Sequence, residues 1–201
     1  MQILVAGSTG NTGLRLVREL KSRGHDPIAL VRSSSDTTGL PDEVEQREGD
    51  LTDLASDVTA GCEVVVFAAG AGGGSSDEMT DKVDRDGAKR LIDLSVAGDV
   101  RRFVMLSSIG AGDPDPQGDL AHYLKAKHAA DEHLKASDLE FSILRPVALT
   151  DADGGSNIRL GDNVDPAGEA ARGDVARLLA DAAESPAWVG KVLRMESVDH
   201  E

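Results

Sequence analysis

The sequence predicts an α/β fold: a doubly wound parallel sheet with helices on both faces, in a single domain. Short runs rich in Val, Ile and Leu recur at "QILVAG", "PIALVR", "EVVVFAAG", "RRFVMLSS", "FSILRPVAL" and "KVLRMES". Each is apolar at successive positions, as strands covered on both faces are. Helical patterns lie between them, so strand and helix alternate and right-handed crossovers return the chain to a parallel neighbour. With 201 residues, one domain can bury a sizeable core.

Charge narrows the partners. The 36 acidic and 21 basic residues leave a net charge of −15, spread along the whole chain. Such a field repels phosphate backbones and argues against nucleic acid. It also suggests a halophilic, salt-rich cytosol, because molar salt shortens the Debye length to roughly 3 Å and screens the self-repulsion. No apolar run approaches the roughly 20 residues that span a bilayer, so no membrane partner is expected. The single Cys62 cannot form an internal disulfide, and no leader-like segment precedes the first strand. A cytoplasmic location follows as an expectation.

The first run leads into Gly7, Gly10 and Gly13, spaced G-x-x-G-x-x-G between a strand and a helix. Gly7 permits a tight turn, and Gly10 lets backbone approach a pyrophosphate held by the helix's N-terminal amides. Gly13 allows the helix to pack closely. Thr9, Asn11 and Thr12 belong to the same turn, which at the first strand of a βαβ unit reads as a dinucleotide site. The following helix, "NTGLRLVRELKSRG", puts Leu14, Val17 and Leu20 on one face and stops at Gly24.

The second run ends at Arg32, about 20 residues after the glycines, where an acid would hold a ribose 2′-hydroxyl. Arg32 and Ser33, with no carboxylate before Asp36, offer a guanidinium and hydroxyls to a 2′-phosphate. NADP is therefore favoured over NAD as cofactor. After "EVVVFAAG" comes "AGAGGGSSDE" at 69–78, which reads either as a rim of the ligand crevice or as a plain linker.

"DGAKRLIDLSVAGD" aligns Leu91, Leu94 and Ser95 and ends at Gly98, while "YLKAKHAADEHLKASDL" and "RGDVARLLADAAESP" continue the helical series, the last stopped by Pro186. Tyr123, the chain's only tyrosine, and Lys127 stand four apart, on one helix face. His122, His128 and His133 share that helix without a metal-ligand pattern, so no metal site is expected.

With the glycines, "LVR", "GDLTD" and Tyr-x-x-x-Lys, the chain resembles the short-chain dehydrogenase/reductase superfamily. It is most similar to the atypical NAD(P)-binding branch, the epimerase/dehydratase-like and NmrA-like members. The resemblance runs from Met1 to about Ser197 and implies one Rossmann-type NAD(P)-binding domain over 1–201, with 151–173 as a short substrate-side segment. It implies that Asp50 and Leu51 meet the adenine, that Ala68, Ala69 and Gly70 follow its ribose, and that Pro146 and Val147 lie by the nicotinamide. Tyr123 would be the general acid/base. Lys127 would favour its phenolate and hold the nicotinamide ribose. Ser108, or the adjacent Ser107, would orient the substrate oxygen.

Asp84 stands where many members carry a proton-relaying Asn, and a carboxylate there could pair with Lys127 and weaken its effect on Tyr123. Asp174 matches the family's late Asp-Val-Ala helix start and also reads as an N-cap. Only about 50 residues follow "LRPVAL", little room for a nucleotide-sugar lid. The implied function is an NADP-dependent oxidoreductase acting on a small carbonyl or quinone-like substrate. A non-enzymatic NADP-binding redox sensor and an NAD(P)-dependent epimerase/dehydratase are the alternatives. Subunit pairing in the superfamily makes a homodimer the oligomer to test.

Overall fold

In the computed structural model, residues 1–155 and 157–198 are described; Ser156, within the substrate-side segment, lies outside them. Each apolar run forms a strand: β1 (Gln2–Ala6), β2 (Asp26–Val31), β4 (Val64–Phe67), β5 (Arg102–Leu106), β6 (Glu140–Pro146) and β10 (Lys191–Ser197). They lie parallel in the order β3-β2-β1-β4-β5-β6-β10, where β3 is Glu45–Glu48. The chain leaves β1 in one direction to β2 and β3, then returns to β4 on the other side. That reversal opens a crevice beyond the strands' carboxyl ends.

Alternate side chains explain the unbroken apolar runs. Ile3, Val5, Val64 and Val66 face one core with α1 (Asn11–Ser22) and α5 (Arg172–Glu184), whereas Leu4, Ala6, Val65 and Phe67 face a second core with α3 (Ala88–Ala97) and α4 (Ala121–Lys135). Both faces are thus buried, as expected of a parallel sheet. Val17 and Leu20 are buried on α1, but its third core residue is Leu16, while Leu14 is only half-buried. The helix stops before Gly24, whose φ of 80° continues no helix.

Four further strands lie outside those runs or, for β7, at the end of one. β3, "EQRE", pairs only with β2, and its charges suit an exposed sheet edge. β7 (Ala148–Thr150), β8 (Ile158–Leu160) and β9 (Glu169–Ala171) are three residues each and gather beside β10. A short helix was also missed: α2 (Asp77–Thr80), whose Met79 N–H donates to the Ser76 hydroxyl. It runs through a wide π-helical turn, Asp81–Gly87, into α3.

Asp174 is not an N-cap. α5 begins at Arg172 after Ala171, and Asp174 lies fully buried in the first turn, accepting from the Ser197 hydroxyl at 2.7 Å. No helix among the described residues is long and apolar enough to cross a membrane.

Candidate functional site

A cleft of about 900 Å³ lies at the carboxyl ends of β1, β2, β4 and β5. At the end of β1 the cleft has a backbone cradle. Gly7 has φ 81°, and a Cβ there would stand 2.7 Å from Ala69 Cα, so both conformation and space demand glycine. Gly10 caps α1 with extended backbone and no side-chain hydrogen bond, and its N–H donates to Gly7 O at 3.0 Å. Among the described residues no side-chain hydrogen bond caps the start of α1, which leaves its first-turn amides available to an anion. Thr9, Asn11 and Thr12 line the cleft with these glycines, but Gly13 does not. A Cβ on Gly13 would lie 2.0 Å from Gly7 O, so its task is the close packing of α1 on the turn.

Arg32, Asp50 and Leu51 line the adjoining wall, as do Ala68, Ala69 and Gly70 beyond β4. Ser33 does not; Ser35 replaces it, accepting the Arg32 N–H at 3.1 Å. The Asp50 carboxylate accepts from the Thr52 amide and hydroxyl, each at 2.8 Å. Those bonds, with the nearby Arg32 charge, hold its pKa below the usual range. Asp36 is turned onto Thr38, away from the role a ribose-binding acid would play. The segment after β4 is a rim rather than a linker, since Ala69 to Ser75 all line the cleft.

The substrate end is built from side chains. Lys127 and Asp84 form a buried pair at 3.0 Å, with side chains 3% and 1% exposed. The π-helical turn delivers Asp84 inward, where its second oxygen accepts the Ala71 N–H at 2.9 Å. Lys127 also donates to Ala69 O at 3.3 Å and Leu106 O at 3.4 Å. Burial alone would lower its pKa, but Tyr123, Asp84 and Asp131 more than offset that and raise it. Lys127 therefore stays charged. Its hydrogen bonds run to two backbone oxygens, while Asp84 Oδ1 meets it as an ion partner and accepts no hydrogen bond among the described residues. The ammonium stands 5.8 Å from the centre of the Tyr123 ring and 5.4 Å from that of Phe67.

Tyr123 and Ser107 face this space, whereas Ser108 does not reach the cleft wall. Ser107 directly follows β5 and donates its hydroxyl to Asp131 at 2.8 Å. Arg145 forks onto the same carboxylate oxygen at 3.0 and 2.9 Å. Burial pushes the Asp131 carboxyl up, with Arg145 and Ser107 working against it. Pro146 and Val147 are buried rather than cleft-lining, and Leu149 takes their place on the wall. Of the histidines, His122 lines the cleft with Nε2 at 2.9 Å from Asp81, His128 meets Ala111 O at 2.9 Å, and His133 meets Asp93 at 2.6 Å.

Residues 7–186 match the NAD(P)H-binding family. The chain belongs to that family. It is 30% identical over 186 residues to the uncharacterized sugar epimerase YhfK of Bacillus subtilis, covering 89% of this chain and 86% of the relative. A solved candidate NAD-dependent epimerase/dehydratase from Bacillus halodurans superposes with a TM-score of 0.91 at 30% identity, covering 99% of this chain and 95% of that one. The oxidoreductase ylbE of Lactococcus lactis superposes at 0.86 with 28% identity, covering 99% and 92%. The glycine cradle fits the family's nucleotide: Gly7 and Gly13 allow a turn too close for any Cβ, and that turn delivers a helix start with no side-chain cap among the described residues.

Three contributors to this cleft escaped sequence reasoning. Asp131 follows Lys127 by four residues on the same helix face, a spacing that could have flagged it. Arg145 reaches it from β6, and Arg172 enters the cleft from the start of α5. Neither arginine carries a local signal.

Proposed function

We propose that this member of the NAD(P)H-binding family is an NADP-dependent oxidoreductase acting on a small, uncharged carbonyl or quinone-like substrate. The observation that carries the reading is the meeting of Tyr123 with a buried, charged Lys127 in the wall of the glycine-cradled cleft. When bound, the nicotinamide cofactor supplies or takes up hydride. Tyr123 exchanges the proton at the substrate oxygen, and the Lys127 charge favours the phenolate that forms. Ser107, which unlike Ser108 lines the cleft, orients that oxygen once its hydroxyl proton turns from Asp131. Asp84 keeps Lys127 in place and shares its charge, which moderates its pull on Tyr123.

Arg32 and the Ser35 hydroxyl support a 2′-phosphate, hence NADP over NAD. Leu120 and Met79, 63% and 42% exposed, line the outer cleft beside Asp77 and Asp119. An apolar wall with an acidic rim suits an uncharged, apolar substrate better than an anionic nucleotide sugar. The net charge of −15 supports work in a salt-rich cytoplasm.

One observation favours a second reading. The buried Asp84 carboxylate neutralises Lys127 and backbone oxygens hold two of its N–H groups, which suits a redox sensor that binds NADP without turning over. Screening quinones and carbonyls for NADPH oxidation in molar KCl separates the two. The enzyme reading predicts turnover that falls by about 100-fold or more in Tyr123→Phe. Turnover that survives the substitution contradicts the assigned acid/base.

A further inference from the structure

Arg172 is the residue that links the far end of the chain to the glycine cradle. It lines the cleft, and its Nη1 donates to the Thr12 hydroxyl at 3.1 Å, in the first turn of α1. Its Nε donates to the Asp151 carboxylate at 2.8 Å, and the same oxygen accepts from Asn11 Nδ2 at 2.9 Å. One exposed carboxylate, 68% accessible, thus sits on a guanidinium and on the side-chain amide of Asn11, the first residue of α1. That is the donor set a pyrophosphate oxygen would use.

The backbone around this cluster is fixed. Gly173 N donates to Ala152 O at 3.2 Å, and a Cβ on Gly173 would stand 2.0 Å from Asp153 O. Arg15 also holds Asp151 O at 2.6 Å. The Asp151 side chain can therefore swing away without moving the strand end or the helix start that carry Arg172.

We infer that Arg172 binds the cofactor's pyrophosphate, and that the Asp151 carboxylate occupies its donors until the cofactor displaces it. The inference rests on the dinucleotide reading of the cleft and adds a residue from beyond the glycine turn. A guanidinium forks onto phosphate oxygens with charge-assisted bonds, while an exposed carboxylate pair contributes little. Displacement is therefore favourable. The arrangement also sets a sign: Asp151 opposes binding, whereas Arg172 promotes it.

Titrating NADPH into the full chain by cofactor fluorescence in molar KCl, with wild type, Arg172→Ala and Asp151→Asn, tests this. The expected result is about tenfold weaker binding in Arg172→Ala and a few-fold tighter binding in Asp151→Asn. A purely structural contact would weaken binding in both variants or change neither. Wild-type binding with an unaltered Arg172→Ala, or a weakened Asp151→Asn, overturns the inference. Failure of wild type to bind NADPH or NADH instead overturns the cofactor reading beneath it.

Discussion

The two ends of the cleft are made of different material. At the glycine end the floor is backbone, shaped by the turn at Gly7 and Gly10 and a helix start with no side-chain cap among the described residues. At the other end it is side chains far apart in sequence, with Lys127 on Asp84, and with Ser107 and Arg145 both on Asp131. Such buried charges cannot lose one partner without leaving the other stranded. Substitutions of side chains at the nucleotide end should change what binds; those at the substrate end should also change whether the chain stays folded.

The largest effect should come from the buried pair. Asp84→Ala leaves Lys127 charged in an apolar setting, at a cost of roughly 3–5 kcal/mol. In a chain of this size the thermal midpoint should fall by about 10 °C. The double variant Asp84→Leu, Lys127→Met should recover part of that loss, because no charge then remains buried. An unchanged midpoint in Asp84→Ala would erase the distinction between the two ends.

Ser107 gives a smaller, sharper test. Ser107→Ala removes one of the bonds on Asp131 and should cost about 1–2 kcal/mol in denaturant unfolding, with loss of turnover. Ser108→Ala should leave both stability and turnover near wild type, since Ser108 is off the wall. Equal effects from the two serines would remove Ser107 from the site.

The same contrast explains how much the sequence showed. Gly7, Gly10 and Arg32 are read from local spacing, and β1, β2, β4, β5, β6 and β10 from apolar runs. β3 escaped because an exposed edge needs no apolar residues, and the wide turn at Asp81–Gly87 because nothing local marks it. Asp84 was legible as a residue, but its burial arises from packing with a helix 43 positions on (127 − 84). Arg145 and Arg172 are ordinary arginines until the sheet brings them to Asp131 and Thr12.

The smallest effect is that of pH. The pKa of Lys127 is raised in the folded state, so its contribution to stability is present below its unfolded value, about 10.5, and is lost as pH rises through the folded one. Melting curves of wild type should therefore lose ground to those of Lys127→Met only at strongly alkaline pH. A crossover near neutrality would mean that Lys127 is not held charged.

The most direct measurement is a fluorescence titration of NADPH and then NADH into wild type and Arg32→Glu at molar KCl. The account predicts that NADPH binds at least about tenfold tighter to wild type, by a charge-assisted contact to the 2′-phosphate, and that the order reverses in the variant. If neither nucleotide binds, or if Arg32→Glu leaves the preference untouched, the cradle and its 2′-phosphate site are not what the glycines and Arg32 are claimed to form.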